Sequence, residues 1–365
     1  MRLPFAPRPH PGEALSSWVA RLAAHNFVDI ETFWAWLTGE QVDDVKPSVA
    51  TIQSLSDVSG VPRDIIEKMA RPLRRAPRSH LMQVSSGTGL RGGACSTCLA
   101  EADVSGRDHG LPTLAASIWT VTCPRHGERL FDLRSFEWRL DRGRLRLSHG
   151  VEHGVGARPR SSSYASKLLR MCEAAFTRAL LGQPMGSAWR TRKPREFIAC
   201  VEALAAPVFW RAGAGGPSLA RYFDEVTGYG RLSFYVNEGA DDGVLADLAG
   251  EDVRTRASAV TAIGYLLMTP DALATLARSE PLAVEPRPDA FGALLNHFNP
   301  GQQARLVDRA RDWPDCIARP LRAAIGDLGL PRSQSHLFRA PAGIVARPDR
   351  SKRRVSAPVS SIALH

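Results

Sequence analysis

Ala94-Cys95-Ser96-Thr97-Cys98-Leu99, then Trp119-Thr120-Val121-Thr122-Cys123-Pro124-Arg125-His126-Gly127, are two arms of one pattern: C-x-x-C, twenty-four intervening residues, C-x-x-H. A gap of two residues lets both side chains of an arm reach a single ion. Three thiolates and one imidazole are a standard structural set for tetrahedral Zn2+. Four protein ligands leave no position open for substrate, so Cys95, Cys98, Cys123 and His126 read as one structural zinc site and not a catalytic one. The plainer alternative is free cysteines beside an unrelated histidine, and His109 in the intervening loop competes as a ligand. Between the arms the large apolar side chains are few, chiefly Leu111, Leu114, Ile118 and Trp119. The module, about 94–130, should therefore depend on the ion for its packing, while the helices further along keep theirs.

Upstream of this module the periodicity is helical. Glu13 to Asn26 places Leu15, Trp18, Val19 and Leu22 at i, i+3, i+4 and i+7, and Asn26 can close the helix in the left-handed conformation. Asp29 suits the N-cap of a second helix that buries Ile30, Phe33, Trp34 and Leu37 before Gly39. Ser48 suits the N-cap of a third, ended by Gly60, and Pro62 can open a fourth with Ile65, Ile66 and Met69. Helix, short glycine turn, helix is the grammar of a helix-turn-helix, here about 48–70. A plain helical hairpin packed on the zinc module is the competing reading. Trp18, Phe33, Trp34 and Trp36 read as core before they read as a platform for bases, with Trp36 off the apolar stripe.

Downstream, Phe136 to Leu147 alternates Trp138 and Leu140 with Arg139, turns at Asp141-Arg142-Gly143, and alternates again through Leu145 and Leu147, as a β-hairpin does. Residues 148–163 are rich in Gly, Pro, Ser and Arg and mark a linker. Helical patterns then dominate 164–340: Tyr164 to Leu181, Pro194 to Ala206, Leu219 to Val226, Ala257 to Met268, Asp271 to Arg278, Ala290 to Phe298 and Gln302 to Arg311. A basic tail, 341–365, reads as disordered. The fold class is thus mainly α: a domain over 1–147 with an inserted zinc knuckle, and a helical C-terminal domain. Cys172, Cys200 and Cys316 have no partner at ligand spacing and read as small buried hydrophobes. His149 and His153, among glycines, read as a solvated loop, with a second metal site as the alternative.

The charge is +10, with 47 Lys and Arg against 37 Asp and Glu, which suits a polyanion, nucleic acid first. Arg63 and Lys68 on the fourth helix, and Arg71, Arg74, Arg75 and Arg78 in the acid-free run behind it, are the candidate DNA contacts. Asp64 and Glu67 on the same helix oppose phosphate approach, and a solvated basic face is the plainer account. The first residues carry no apolar signal core, and the chain holds no apolar run long enough to span a bilayer, so the expected location is the cytoplasm, with no membrane partner. No phosphate-binding loop, dinucleotide fingerprint, zinc-protease motif or nucleophile elbow is present, so no catalytic residue is assigned and an enzyme is not expected.

Pro9-x-Pro11-Gly12-Glu13-x-Leu15-x-Ser17-Trp18-x-x-Arg21-Leu22-Ala23-x-x-Asn26, together with Cys95-x-x-Cys98-Leu99 and Trp119-x-x-x-Cys123-Pro124-x-His126-Gly127-x-x-Leu130, resembles the TniQ family in both order and distance. The likeness covers roughly residues 1–147. It implies that Cys95, Cys98, Cys123 and His126 are the zinc ligands. It further implies a transposon-encoded, non-catalytic protein, like the related TnsD proteins, that combines helix-turn-helix and zinc modules and helps to choose the insertion site. Some members bind a DNA attachment site and others dock, as dimers, on an RNA-guided CRISPR effector. They recruit an AAA+ regulator and the transposase. The competing class is a stand-alone zinc-containing helix-turn-helix regulator.

Overall fold

The computed structural model describes residues 2–39, 47–70, 72–73, 75–82, 85–86, 89–134, 136–149, 163–185, 193–211, 218–226, 234–236, 243–267, 298–314, 317–318 and 321. Arg71, Arg74, His153, Cys316, most of the 148–163 linker, the helix expected at Asp271 to Arg278 and the 341–365 tail lie outside them.

Four short helices lead the chain: α1 (Leu15–His25), α2 (Ile30–Thr38), α3 (Val49–Ser59) and α4 (Arg63–Ala70). Their ends follow from capping chemistry. Asp29 accepts from the Thr32 backbone N–H and Ser48 from that of Thr51, each satisfying one orphan donor of a first turn. Gly39 and Gly60 close α2 and α3 in the left-handed region. The closure of α1 departs from expectation. Asn26 has φ −100, and the left-handed residue is Phe27 with φ 57. Asn26 is instead a clamp: its amide donates to the carbonyls of Leu22 and Phe5 and its oxygen accepts from the Phe5 N–H. One core gathers Trp18, Leu22, Phe33, Trp34, Ile52, Leu55, Ile66 and Met69 from all four helices. Trp36 stays half exposed, its ring 5.7 Å from that of Phe33.

The metal module opens at β3 (Gly93–Ala94), after a two-residue ribbon of β1 (Ser85–Ser86) and β2 (Gly89–Leu90), and runs into α5 (Ser96–Val104). β3 pairs antiparallel with β4 (Phe131–Asp132), Ala94 opposite Phe131, which returns the second arm beside the first. A hairpin follows, β5 (Phe136–Asp141) and β6 (Arg144–His149), in the register Trp138 with Leu147 and Arg139 with Arg146. Its two-residue turn has φ 50 at Arg142 and φ 75 at Gly143, the left-handed pair that matches strand twist.

Helices complete the described chain: α6 (Ser163–Leu180), α7 (Pro194–Ala205), α8 (Leu219–Val226), α9 (Val244–Gly250), α10 (Val253–Leu267) and α11 (Pro300–Arg309). Short α9 has Gly243 at φ 98 as its N-cap and buries Val244 and Leu248, one turn apart. α10 packs on α6 and α8, and α6 on α7. A second, larger core runs from Ala14, through Trp119 of the metal module and Leu133 just beyond it, to Phe176, Phe197, Ile263 and Leu321. Among the described residues no helix is long and apolar enough to cross a membrane. The protein is mainly α, with three two-stranded ribbons among the described residues.

Candidate metal centre

Local backbone geometry builds each arm. Cys95 stands at the N-cap of α5, and the Leu99 N–H donates to the Cys95 carbonyl, so Cys98 lies one turn up the helix on the same side. In the second arm Thr122 and Arg129 bridge antiparallel, the Cys123 N–H donates to Glu128 O at 2.7 Å, and the Gly127 N–H returns to Cys123 O at 2.8 Å. Gly127 takes φ 64, the conformation this tight return demands and one that a side chain resists. The His126 N–H points at Cys123 Sγ, 3.4 Å away.

The arms converge. The ligand atoms of Cys95, Cys98, Cys123 and His126 all lie within 4.8 Å of one another and could hold a metal ion. Cys98 Sγ is 3.7 Å from Cys123 Sγ, and His126 Nδ1 is 3.4, 3.3 and 3.6 Å from the sulfurs of Cys95, Cys98 and Cys123. A tetrahedral cation with bonds of about 2.3 Å to sulfur and about 2.0–2.1 Å to nitrogen would space sulfurs by about 3.8 Å and sulfur from nitrogen by about 3.6 Å. The residues therefore fit such an ion. Burial pushes the Cys95 thiol up and, with the Cys123 sulfur beside it, takes that of Cys98 up to about 12. Burial also opposes ionisation of Cys123, but the N–H groups of His126 and Arg125 outweigh it and bring that thiol down. A divalent cation held by these residues would reverse the conflict among three crowded sulfurs, because its charge would keep all of them as thiolates.

Two surrounding acids carry no signal in the sequence. Glu101 Oε1, one turn beyond Cys98 on α5, sits 3.3 Å from His126 Nε2, and its other oxygen is 2.6 Å from Arg125 Nη1. With Nε2 held by a carboxylate, Nδ1 is left to face the sulfurs, the arrangement that orients and strengthens a histidine ligand. Glu128 accepts from the Thr97 hydroxyl at 2.8 Å and ties the arms together beside Cys95. His109 is occupied elsewhere: Nε2 meets Asp103 at 3.0 Å and Nδ1 accepts from the Leu147 N–H. Cys172 and Cys200 are fully buried in the larger core.

A buried ionic cluster joins the module to α1. Arg21 is forked on Glu13 at 2.9 and 2.7 Å, and its remaining nitrogen meets Asp108 at 2.9 Å. Asp108 also accepts from His25 and from the Leu145 N–H, so one carboxylate ties α1, the loop after α5 and the hairpin.

The candidate DNA contacts are spread out. On α4, Arg63 is 2.8 Å from Glu67 and Lys68 is 3.0 Å from Asp64, so both exposed cations pair with acids of their own helix. Arg75 and Arg78 are exposed.

The class defined here is a mainly helical protein whose leading helices are tied to a Cys3His cluster that could hold a metal ion. Residues 4–130, about a third of the chain, match the family model TniQ. No curated protein and no solved structure matches the chain.

Proposed function

We propose that this protein is a non-catalytic transposition adaptor: it binds DNA or a targeting complex and recruits the AAA+ regulator and transposase to the chosen site. The observation that carries the reading is the TniQ domain over residues 4–130, with both cysteine arms inside it. In this reading the ion is Zn2+, one per chain, held by Cys95, Cys98, Cys123 and His126, and its role is to fix the module, not to activate water. Arg63, Lys68, Arg71, Arg74, Arg75 and Arg78 contact the DNA backbone from the α3–α4 pair, acting as a helix-turn-helix, and from the run behind it. The α4 ion pairs are exposed, and such pairs are weak enough to be exchanged for phosphate. Residues 1–147 form the adaptor unit, 148–163 a linker, 164–340 a helical unit packed on it and 341–365 a basic tail. The test is deletion of the gene in cells that carry its transposon, with insertions mapped genome-wide. Targeted insertion should vanish while transposase remains present. Unchanged insertion number and distribution would sink the proposal and leave the stand-alone regulator.

A further inference from the structure

The β5–β6 hairpin presents two unlike faces. Leu145 and Leu147 are buried and Trp138 half-buried against the body. The cross-strand pairs between them, Glu137 with Ser148, Arg139 with Arg146 and Asp141 with Arg144, share the opposite face, because directly opposed residues point the same way. Arg142 stands exposed in the turn. Arg139 and Arg146 are like charges directly across the ladder, a repulsion that neighbouring carboxylates partly offset.

Neighbouring segments add to this face. Gly106 lies beneath the guanidinium of Arg144, and a Cβ there would come within 3.1–3.2 Å of it, so the loop after α5 leaves a seat for that arginine. Arg107, next along, is exposed, its Nε on the Ser105 hydroxyl at 2.9 Å. The acids on the face are Glu137, 3.5 Å from Arg139, and Asp141 and Asp103, 3.7 and 3.4 Å from Arg146. Arg107, Arg142 and Arg144 have no carboxylate partner among the described residues, so the face carries a surplus of positive charge held on a rigid ribbon.

We propose that this outward face is a second contact surface for duplex DNA, with Arg139, Arg142 and Arg144 on phosphates. The inference rests on the DNA-associated reading given above and adds a surface remote in sequence from residues 63–78. A two-stranded ribbon fits the major groove, which is about 12 Å wide. The face offers guanidinium groups and no aromatic ring, so it has no stacking platform of the kind that single strands require.

The test uses the full chain with a labelled random-sequence duplex and one of its single strands, and follows the dissociation constant against salt. R139A/R142A/R144A should lower the log–log slope for duplex by about 0.9 for each phosphate no longer neutralised, about 2 to 3 in all. The triple Lys variant should restore the slope, and Arg142→Glu, alone in an exposed turn, should lower it without touching the seat of Arg144. A wild-type slope in a folded triple Ala variant, or in Arg142→Glu, overturns the hairpin surface alone. Absence of duplex binding by the wild-type protein at low salt overturns the hairpin surface and DNA contact at residues 63–78 together. A loss confined to the single strand overturns the assignment to duplex.

Discussion

His126 uses its two ring nitrogens for different ends, one facing three sulfurs and the other held by Glu101. That division predicts unequal effects of substitution. Cys123→Ser should lower bound zinc sharply, because it removes a ligand from a set with none to spare. Glu101→Gln should retain the ion but weaken its affinity by about 10–100-fold, the usual cost of losing an outer carboxylate partner. Cys172→Ser and Cys200→Ser should leave zinc content intact, since both thiols sit in the apolar core away from the site. Elemental analysis and chelator competition measure all four, and full zinc occupancy in Cys123→Ser would refute the ligand set. Arg21 makes a second case. Its side chain and that of Glu13 are each 1% exposed, so Arg21→Ala strands Glu13 in the interior and should cost about 3–5 kcal/mol in urea unfolding. Asp108 carries a pH signature. Burial works against its charge, but the bonds from Leu145 N–H, His25 and Arg21 outweigh it and hold its carboxyl below the ordinary range. A depressed folded value means stability that is present above the unfolded value and lost on acidification, so the contribution should fade as pH drops below about 4. Asp108→Asn should flatten that limb of the stability profile, and an unchanged limb would remove Asp108 from the account.

Elements meet here through close approaches more than through length. α10 crosses α6 at Gly264, where an added Cβ would stand 2.3 Å from Cys172 Sγ. Gly264→Ala should therefore destabilise by about 1–3 kcal/mol, the range for overpacking a filled core. Pairing it with Cys172→Gly should return part of that stability, and strict additivity in the double-mutant cycle would contradict the close approach. The metal module is coupled to the same helices. Trp119 donates to His80 and lies 4.9 Å from the Phe176 ring of α6, while Glu173 of α6 accepts from the N–H groups of Val121 and Thr122 and from the Thr122 hydroxyl. The sequence suggests that metal loss leaves the later helices untouched. The shared hydrogen bonds and ring packing predict otherwise: chelation should expose 94–130 to protease and also raise hydrogen exchange in α6 around Glu173. Exchange confined to 94–130 would restore the independent view.

For the whole molecule the positive charge predicts salt-sensitive association with DNA. Changing Arg71, Arg74, Arg75 and Arg78 together to Ala should reduce the log–log salt slope by about 0.9 for each phosphate interaction removed. An unchanged slope would make the run a solvated face. The two cores bear on stability as well. α1 is buried over Leu15–Ala23, one side in the helical core and the other tied to the module through Ser17 and Arg21, so it joins the two.

Much of this architecture is legible from short-range chemistry. Asp29, Ser48, Gly39 and Gly60 announce helix ends because caps act within a few residues. Arg142-Gly143 announces the hairpin, and the two arms announce the metal cluster because two-residue ligand gaps are a local geometric constraint. What the sequence hides lies far apart along the chain. α1 reads as amphipathic, yet Ser16, Ser17 and Arg21 are buried too, since Glu13 and the distant Asp108 receive the arginine and Leu111 N–H meets Ser17. No periodicity encodes a partner 87 residues away. Glu101 and Glu128 look like any surface acids until the fold sets them beside His126 and Cys95. Local patterns specify which elements form and where they stop, but whether a polar face meets water or a buried counter-charge is settled only when the chain packs on itself.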